Sequence, residues 1–230
     1  MADATPDPCI YVLAGTNGAG KSSLVGATFL QSGVEYFNPD QAARLILAGT
    51  PSLGQTSANS AAWHQGRRLL ERAIAERKTF AFETTLGGTT ITALLQRALT
   101  AGIAVRVWYV GLDGPELHIA RVRARVTRGG HDIPAEQVRA RYDSSRLNLI
   151  RLLPQLTELR VYDNSAEADP RAGIVPEPML VLHMRRGKIV RSCPLTEVPA
   201  WAKPILAAAM RADDTAPGHQ PQLACSTPLR

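Results

Sequence analysis

The sequence predicts an α/β fold, a five-stranded parallel sheet flanked by helices, and three observations carry that prediction. Short apolar runs alternate along the chain with segments of helical periodicity. A glycine-rich string, Gly15-Thr16-Asn17-Gly18-Ala19-Gly20-Lys21-Ser22, directly follows the first of those runs. Four of the five runs end in something able to bind or react: the glycine string, Asp40, Glu83 and Asp163-Asn164. With helical crossovers between parallel strands, those ends share one edge of the sheet.

Taken in order, Cys9–Ala14 is apolar, ends at a glycine and reads as a buried strand. Lys21 to Leu30 has helical periodicity. Val34–Phe37 is a second strand, closed by Asn38-Pro39-Asp40, and Gln41 to Ala48 is helical. The Gly/Pro/Ser stretch Gly49–Gly54 precedes a long helical pattern from Ser57 to Arg77. Thr79–Phe82 is the third strand and stops at Glu83-Thr84-Thr85; a helix over Thr89–Thr100 follows. Ile103–Val110, with the run VRVWYV, is rich in β-formers and makes the fourth strand. Pro115–Thr127 and Pro134–Leu153 are helices separated by Gly129-Gly130, and Leu159–Tyr162 is the fifth strand. Beyond Asp169, Val175–Arg191 has the pattern of a β-hairpin turning at Arg186-Gly187-Lys188, and Val198–Arg211 that of an amphipathic helix. The expected organisation is a flexible leader (1–8), a core (9–170) containing a helical lid (115–153), a hairpin-plus-helix appendage (171–212) and a disordered tail (213–230).

Composition removes several classes. A chain of 230 residues, 45% hydrophobic and 20% charged, can bury a core without disulfides. No run approaches the ~18 apolar residues of a membrane span. MADATPDPC lacks the basic and apolar regions of a signal peptide, so the expected compartment is the cytoplasm. Cys9, Cys193 and Cys225 have no metal or disulfide spacing, and the five histidines have none either. The net charge is +6, and only four of the 26 basic residues are lysines, Lys21, Lys78, Lys188 and Lys203. Between Arg121 and Arg160 nine arginines face four acids, so this stretch carries +5 of the excess.

The glycine string fits G-x-x-x-x-G-K-[ST] between a strand and a helix, the setting of a phosphate loop. In such a loop Gly15, Thr16, Asn17, Gly18, Ala19 and Gly20 offer backbone to phosphates. Lys21 reaches the β/γ oxygens of ATP, Ser22 ligates Mg²⁺, and Ser23 continues the helix start. An LSGGQ-like segment, a strand ending in two acids and an NKxD string are all missing. A P-loop kinase fold with sheet order 2-3-1-4-5 remains.

Phosphoryl transfer to a hydroxyl calls for a group that accepts its proton. At the end of the second strand Asp40 is the candidate base, its alternative being a cap for the Gln41 helix. Glu83 ends an apolar strand, where a carboxylate is costly unless used. It is a candidate acceptor contact with Thr85, or else a structural acid paired to a helix arginine. Arg121, Arg125 and Arg128 share one helical face before the glycine pair; Arg139, Arg141 and Arg146 follow it. The helix–Gly-Gly–helix unit has the pattern of a lid that closes guanidinium groups onto the transferring phosphate. Tyr142 is the sole aromatic residue in this basic stretch, which disfavours nucleic acid as partner.

The strings AGTNGAGKSS, FNPD, Gly66-Arg67, FAFETTL, RGGHDIP, RARY and VYDNS, in this order, resemble the zeta toxin family. The short chromosomal zeta-toxin-like kinases are the most similar branch. The match spans Ile10 to Ser165, about two-thirds of the chain. The resemblance implies an ATP- and Mg²⁺-dependent phosphotransferase with an alcohol acceptor, the 3′-hydroxyl of UDP-N-acetylglucosamine, and an antitoxin partner. It implies Lys21 and Ser22 as phosphate-loop ligands, Asp40 as base, and Asn38, Glu83 and Thr85 as acceptor contacts. Arg128 and Arg141 match the two lid arginines, with Arg125 (nucleotide side) and Arg139 (acceptor side) as competitors. The ETTLGG string and residues 175–211 depart from the longer toxins. Other acceptors, such as a dinucleotide or a protein side chain, and a nucleotide-binding module with little turnover remain alternatives.

Overall fold

The computed structural model describes residues 7–21, 36–167 and 177–215. The expected helix after Lys21, residues 34–35 of the second strand, residues 1–6 of the leader and the tail from 216 on lie outside the described residues.

The elements, in chain order, are β1 (Cys9–Ala14), β2 (Tyr36–Phe37), α1 (Pro39–Gly49), α2 (Gln55–Ala75), β3 (Phe80–Thr84), α3 (Thr89–Thr100), β4 (Ala104–Gly111), α4 (Pro115–Val126), α5 (Ala135–Leu152), β5 (Glu158–Asp163), β6 (Met179–Arg185), β7 (Lys188–Ser192) and α6 (Lys203–Thr215). The sheet order is β2-β3-β1-β4-β5-β6-β7. The first five strands are parallel in the expected order, and β6 and β7 add to β5 antiparallel.

The sheet is therefore seven-stranded, because the terminal hairpin pairs with β5 rather than folding apart from it. Its turn, Arg186-Gly187, has two positive φ values (48° and 77°), as a two-residue hairpin matched to strand twist requires. The last helix also differs from expectation. It begins at Lys203 after a 3₁₀ turn (Ala200–Ala202) and runs to Thr215, so the first residues of the expected tail are helical. Asp213 is anchored there, accepting from the Ile189 backbone N–H at 3.1 Å through Oδ1.

One core joins these parts. Ile10, Val12, Phe80, Phe82, Val105, Val107, Leu159, Val161, Leu182 and Met184 alternate along their strands and fill one sheet face. Against it pack α2 through Leu70 and Ile74, α3 through Leu95 and Ala98, α5 through Leu149 and Leu152, and α6 through Ile205, Leu206 and Ala209. On the opposite face, β1 residues Tyr11 and Leu13 stand beside Arg106 and Trp108 of β4, then Glu158 and Arg160 of β5.

Glu158 is nearly inaccessible, and its carboxylate meets His183 Nε2 at 2.9 Å and Arg160 at 2.9 Å, with Arg185 and Arg106 at 3.8 and 3.9 Å. Burial alone would raise its pKa; the His183 hydrogen bond and the arginines outweigh it and hold the carboxyl below its ordinary value. Stability from such a group is present above the unfolded pKa and is lost as pH falls through the folded one. Glu158→Gln is expected to cost about 2 kcal/mol at neutral pH, less than a fully buried pair because the guanidinium groups are half-exposed. Urea unfolding checks this, and the gap to the parent protein should close below about pH 4. A gap unchanged at pH 3 would assign the loss to packing.

Candidate active site

The turn after β1 brings the glycine string against three other segments. At Gly15 (φ 141°) a Cβ would stand 2.1 Å from the Val110 carbonyl oxygen, and at Gly20 (φ 84°) one would stand 2.5 Å from Asn164 Nδ2. Only glycine permits those approaches. Asn164 Nδ2 donates to the Ala19 carbonyl at 2.9 Å, and His118 Nδ1 lies 2.8 Å from the Asn17 carbonyl. Burial pulls the His118 pKa down to about 4, against the Asn17 hydrogen bond that raises it. At neutral pH the ring is uncharged and its Nδ1–H is the donor. The buried Lys21 ammonium donates to Gly15 O at 2.8 Å and Thr16 O at 3.4 Å and lies 3.5 Å from Glu83 Oε1. Ser22 and Ser23, with the expected Mg²⁺ ligand, lie outside the described residues.

Parallel pairing sets Glu83 beside Leu13, two residues before the loop begins. Its Oε2 accepts from Tyr36 Oη at 3.1 Å and from Asn38 Nδ2 at 3.0 Å. Burial and the adjacent carboxylate push the Tyr36 pKa up, so its phenol remains a donor. Asn38 also caps α1, accepting from the Gln41 N–H at 3.1 Å. That assignment leaves Asp40, in the first helical turn, without a capping role. Its half-exposed carboxylate stands 3.3 Å from Arg125 Nη1 and 3.8 Å from His131 Nε2. Where the sequence offers a helix arginine as the structural partner of Glu83, the described residues place Lys21 beside it.

The two lid helices α4 and α5 pack on each other through Ile119, Val122, Ile133 and Val138. Arg141 of α5 reaches the glycine string: its Nη1 donates to Asn17 Oδ1 at 2.9 Å, and Thr16 Oγ1 donates to its backbone carbonyl at 3.5 Å. Burial lowers the Arg141 pKa, with Asp40 acting in the opposite sense. Arg125 crosses to Asp40 and donates to the His131 carbonyl at 3.3 Å. Arg128 lies exposed past the end of α4, and Arg139 is exposed and forks onto Glu116 at 2.9 and 3.2 Å. Neither borders the cleft that Lys21, Asp40, Glu83, Thr85, His131 and Arg141 share, a space of about 540 Å³. Helix α2 forms its far wall, with Asn59, Trp63 and Arg67 at helical spacing.

A protein-family model, zeta toxin, matches residues 2–169. The chain belongs to the zeta toxin family. An uncharacterised protein of Haemophilus influenzae is 35% identical over 132 residues, 56% of this chain and 88% of that protein. The solved AvrRxo1-ORF1:ORF2 structure with ATP is similar at TM-score 0.63 and 15% identity, over 97% of this chain and 67% of that one. In the same pair's structure with sulphate ions the chain spans 64% of the matched chain's length. The structure from the PezAT chromosomal toxin–antitoxin system of Streptococcus pneumoniae gives 0.52 and 14%, over 92% and 88%. These structural likenesses carry the fold, that of P-loop kinases. Among the described residues no helix is long and apolar enough to cross a membrane.

In this zeta toxin family member three supporting residues escape the sequence reading. Leu86 is buried with φ 55°, a conformation a leucine keeps only where its surroundings impose it. Asn148 Nδ2 donates to the Leu86 carbonyl at 2.9 Å, and Ser145 Oγ donates to the Thr85 carbonyl at 2.6 Å. The signal was present: both are polar residues on the core-facing stripe of α5, beside Leu149 and Leu152. His118, the third, has no local signal beyond its place in an apolar helical stripe.

His118, bonded to the Asn17 carbonyl of the glycine string, ties folding stability to pH. Between pH 6.5 and about 4 the unfolded chain takes up a proton that the folded one excludes. Stability is therefore complete above 6.5 and falls through that window, by up to roughly 3 kcal/mol. His118→Asn retains a donor without the titration, so its urea midpoint should fall less than the parent's between pH 7 and 4.5. Equal slopes would place the titrating group elsewhere.

Proposed function

We propose that the protein is an ATP-dependent kinase that transfers the γ-phosphate to a hydroxyl of a small metabolite, with UDP-N-acetylglucosamine the leading acceptor. The observation that carries this reading is the placement of Asp40 across one cleft from Lys21 and Arg141. A nucleotide-binding switch has no need of a carboxylate in the same cleft as the phosphate-loop lysine. The sugar-nucleotide acceptor rests on family resemblance, and the cleft's far wall of Asn59, Trp63 and Arg67 is compatible with it.

In the proposed mechanism the glycine string wraps the β-phosphate of ATP with backbone N–H groups, and Lys21 bridges the β and γ oxygens. Mg²⁺, held by the phosphates and by Ser22 of the G-K-S string, would neutralise charge there. Asp40 accepts the proton of the acceptor hydroxyl as the hydroxyl oxygen bonds to the γ-phosphorus and the γ-phosphorus bond to the β,γ-bridging oxygen breaks, ADP leaving. Arg125, 3.3 Å away, orients that carboxylate. Glu83, fixed by Tyr36 and Asn38, receives a second hydroxyl or amide of the acceptor, with Thr85 beside it. Arg141 neutralises the equatorial oxygens of the transferring group, while Arg128 and Arg139 would have to move to reach it. An antitoxin that blocks the cleft is the proposed protein partner; by their own descriptions the PezAT structure comes from a toxin–antitoxin system and the AvrRxo1 structure holds ORF1 together with ORF2.

Incubation with labelled ATP, a panel of sugar nucleotides, NAD and cell extract identifies the acceptor by the mass of the labelled product. Label on a dinucleotide or a protein in place of a sugar nucleotide would keep the kinase and replace its acceptor. Asp40→Asn is expected to lower transfer by about 10³-fold while ATP binding stays nearly intact; unchanged transfer would sink the mechanism. Lys21→Ala should weaken nucleotide binding and abolish toxicity together. Lysis by cells expressing that variant would give toxicity another origin.

A further inference from the structure

We infer that Trp201 is a positioning residue for the phosphate loop, acting through Asp163 and Asn164. The C-terminal unit beyond the family match is then part of the nucleotide site's support. This inference rests on the reading of the glycine string as an ATP site.

Trp201 lies 3% exposed in the 3₁₀ turn before α6. Its indole Nε1–H donates to Asp163 Oδ1 at 2.7 Å, at the carboxyl end of β5. The same oxygen accepts from Ser165 Oγ at 2.6 Å, and Ser165 Oγ in turn accepts from the Asp113 N–H at 2.8 Å. Asn164, held between these two fixed residues, donates its backbone N–H to the Gly111 carbonyl at 3.0 Å. Its side chain reaches Ala19 in the phosphate loop and fills the space that a Cβ on Gly20 would occupy. Arg121 closes the segment from outside, donating to the Ser165 and Ala166 carbonyls at 3.4 and 3.2 Å.

The ring of Trp201 is as closely seated as its N–H. A Cβ on Gly111 would come within 2.4 Å of the indole, so β4 carries glycine where the ring crosses it. Tyr109 packs at 6.2 Å between ring centroids, and its hydroxyl meets Ser145 of the lid helix at 2.9 Å. From the same helix Arg146 stacks on Tyr142 at 4.0 Å and donates to the Trp201 carbonyl at 3.4 Å. One residue thus braces both the loop that receives phosphate and the helix that carries Arg141.

A buried indole N–H needs an acceptor, and here the acceptor is the carboxylate whose neighbour clamps the phosphate loop. Trp201→Phe keeps an aromatic ring over Gly111 and removes that donor. Calorimetric titration with Mg·ATP is expected to show affinity lowered about tenfold, the scale of one hydrogen bond to a charged group. Asp163→Ala should lose as much, and the double variant no more than either alone, since both break one connection. Leu206→Ala, in the same core but without a part in these hydrogen bonds, serves as the stability control; it should lower the melting temperature and leave ATP affinity unchanged. Parent-like ATP binding by Trp201→Phe, additive losses in the double variant, or an equal loss in Leu206→Ala would overturn the inference while leaving the kinase reading intact. Absence of ATP binding by the parent protein would overturn both.

Discussion

A buried ammonium and a buried carboxylate, Lys21 and Glu83, stand 3.5 Å apart at the carboxyl ends of two adjacent parallel strands. Neither charge would be tolerated there alone. The pairing of Leu13 with Glu83 puts them within reach, and the carbonyls of Gly15 and Thr16 complete the lysine's coordination. From the other carboxylate oxygen the connections run outward to Tyr36 and Asn38. Asn38 then starts α1, and the first turn of α1 carries Asp40. The position of the candidate base follows from that one ion pair and from the helix cap attached to it.

The lid works on a different rule, the 3.6-residue period. Val138, Ser145, Asn148, Leu149 and Leu152 form the buried stripe of α5, and Arg141 falls on its border. Arg141 is thereby carried inward to Asn17, while Arg139, two residues earlier, is turned to Glu116 and solvent. Ser145 and Asn148 use the same stripe to hold the Thr85–Leu86 backbone. Helix α5 therefore both brings a charge to the cleft and holds the Thr85–Leu86 segment of its wall.

Adding β6, β7 and α6 to the sheet does more than cover its edge. The hairpin supplies His183 and Arg185 to the Glu158 carboxylate, and the turn before α6 supplies Trp201 to Asp163. Both acids belong to β5, one at each end. The strand is pinned at its start by charge and at its end by the indole, and Asn164 follows directly. Support for the phosphate loop thus comes partly from residues some 180 positions further along the chain.

Much of this was legible beforehand, and for physical reasons. Strand and helix positions follow from local periodicity, so β1 and α3 were placed to the residue. The chemistry of the glycine string is contained in eight consecutive residues. Asp40 was singled out by its position after a strand, yet its freedom from capping was settled by Asn38, since either side chain can cap a helix. Choice among the lid arginines needs the facing of α5 relative to the core, which a list of basic residues does not contain. Aromatic and polar partners distant in sequence, such as Trp201 with Asp163 or His118 with Asn17, leave no local pattern. By itself the sequence determined the parallel core, the phosphate loop and the edge where chemistry gathers, because those rest on short-range patterns and chain-independent rules of topology. Tertiary structure alone decided which charges meet, since a buried charge finds its partner by the register and crossing of elements far apart in the chain.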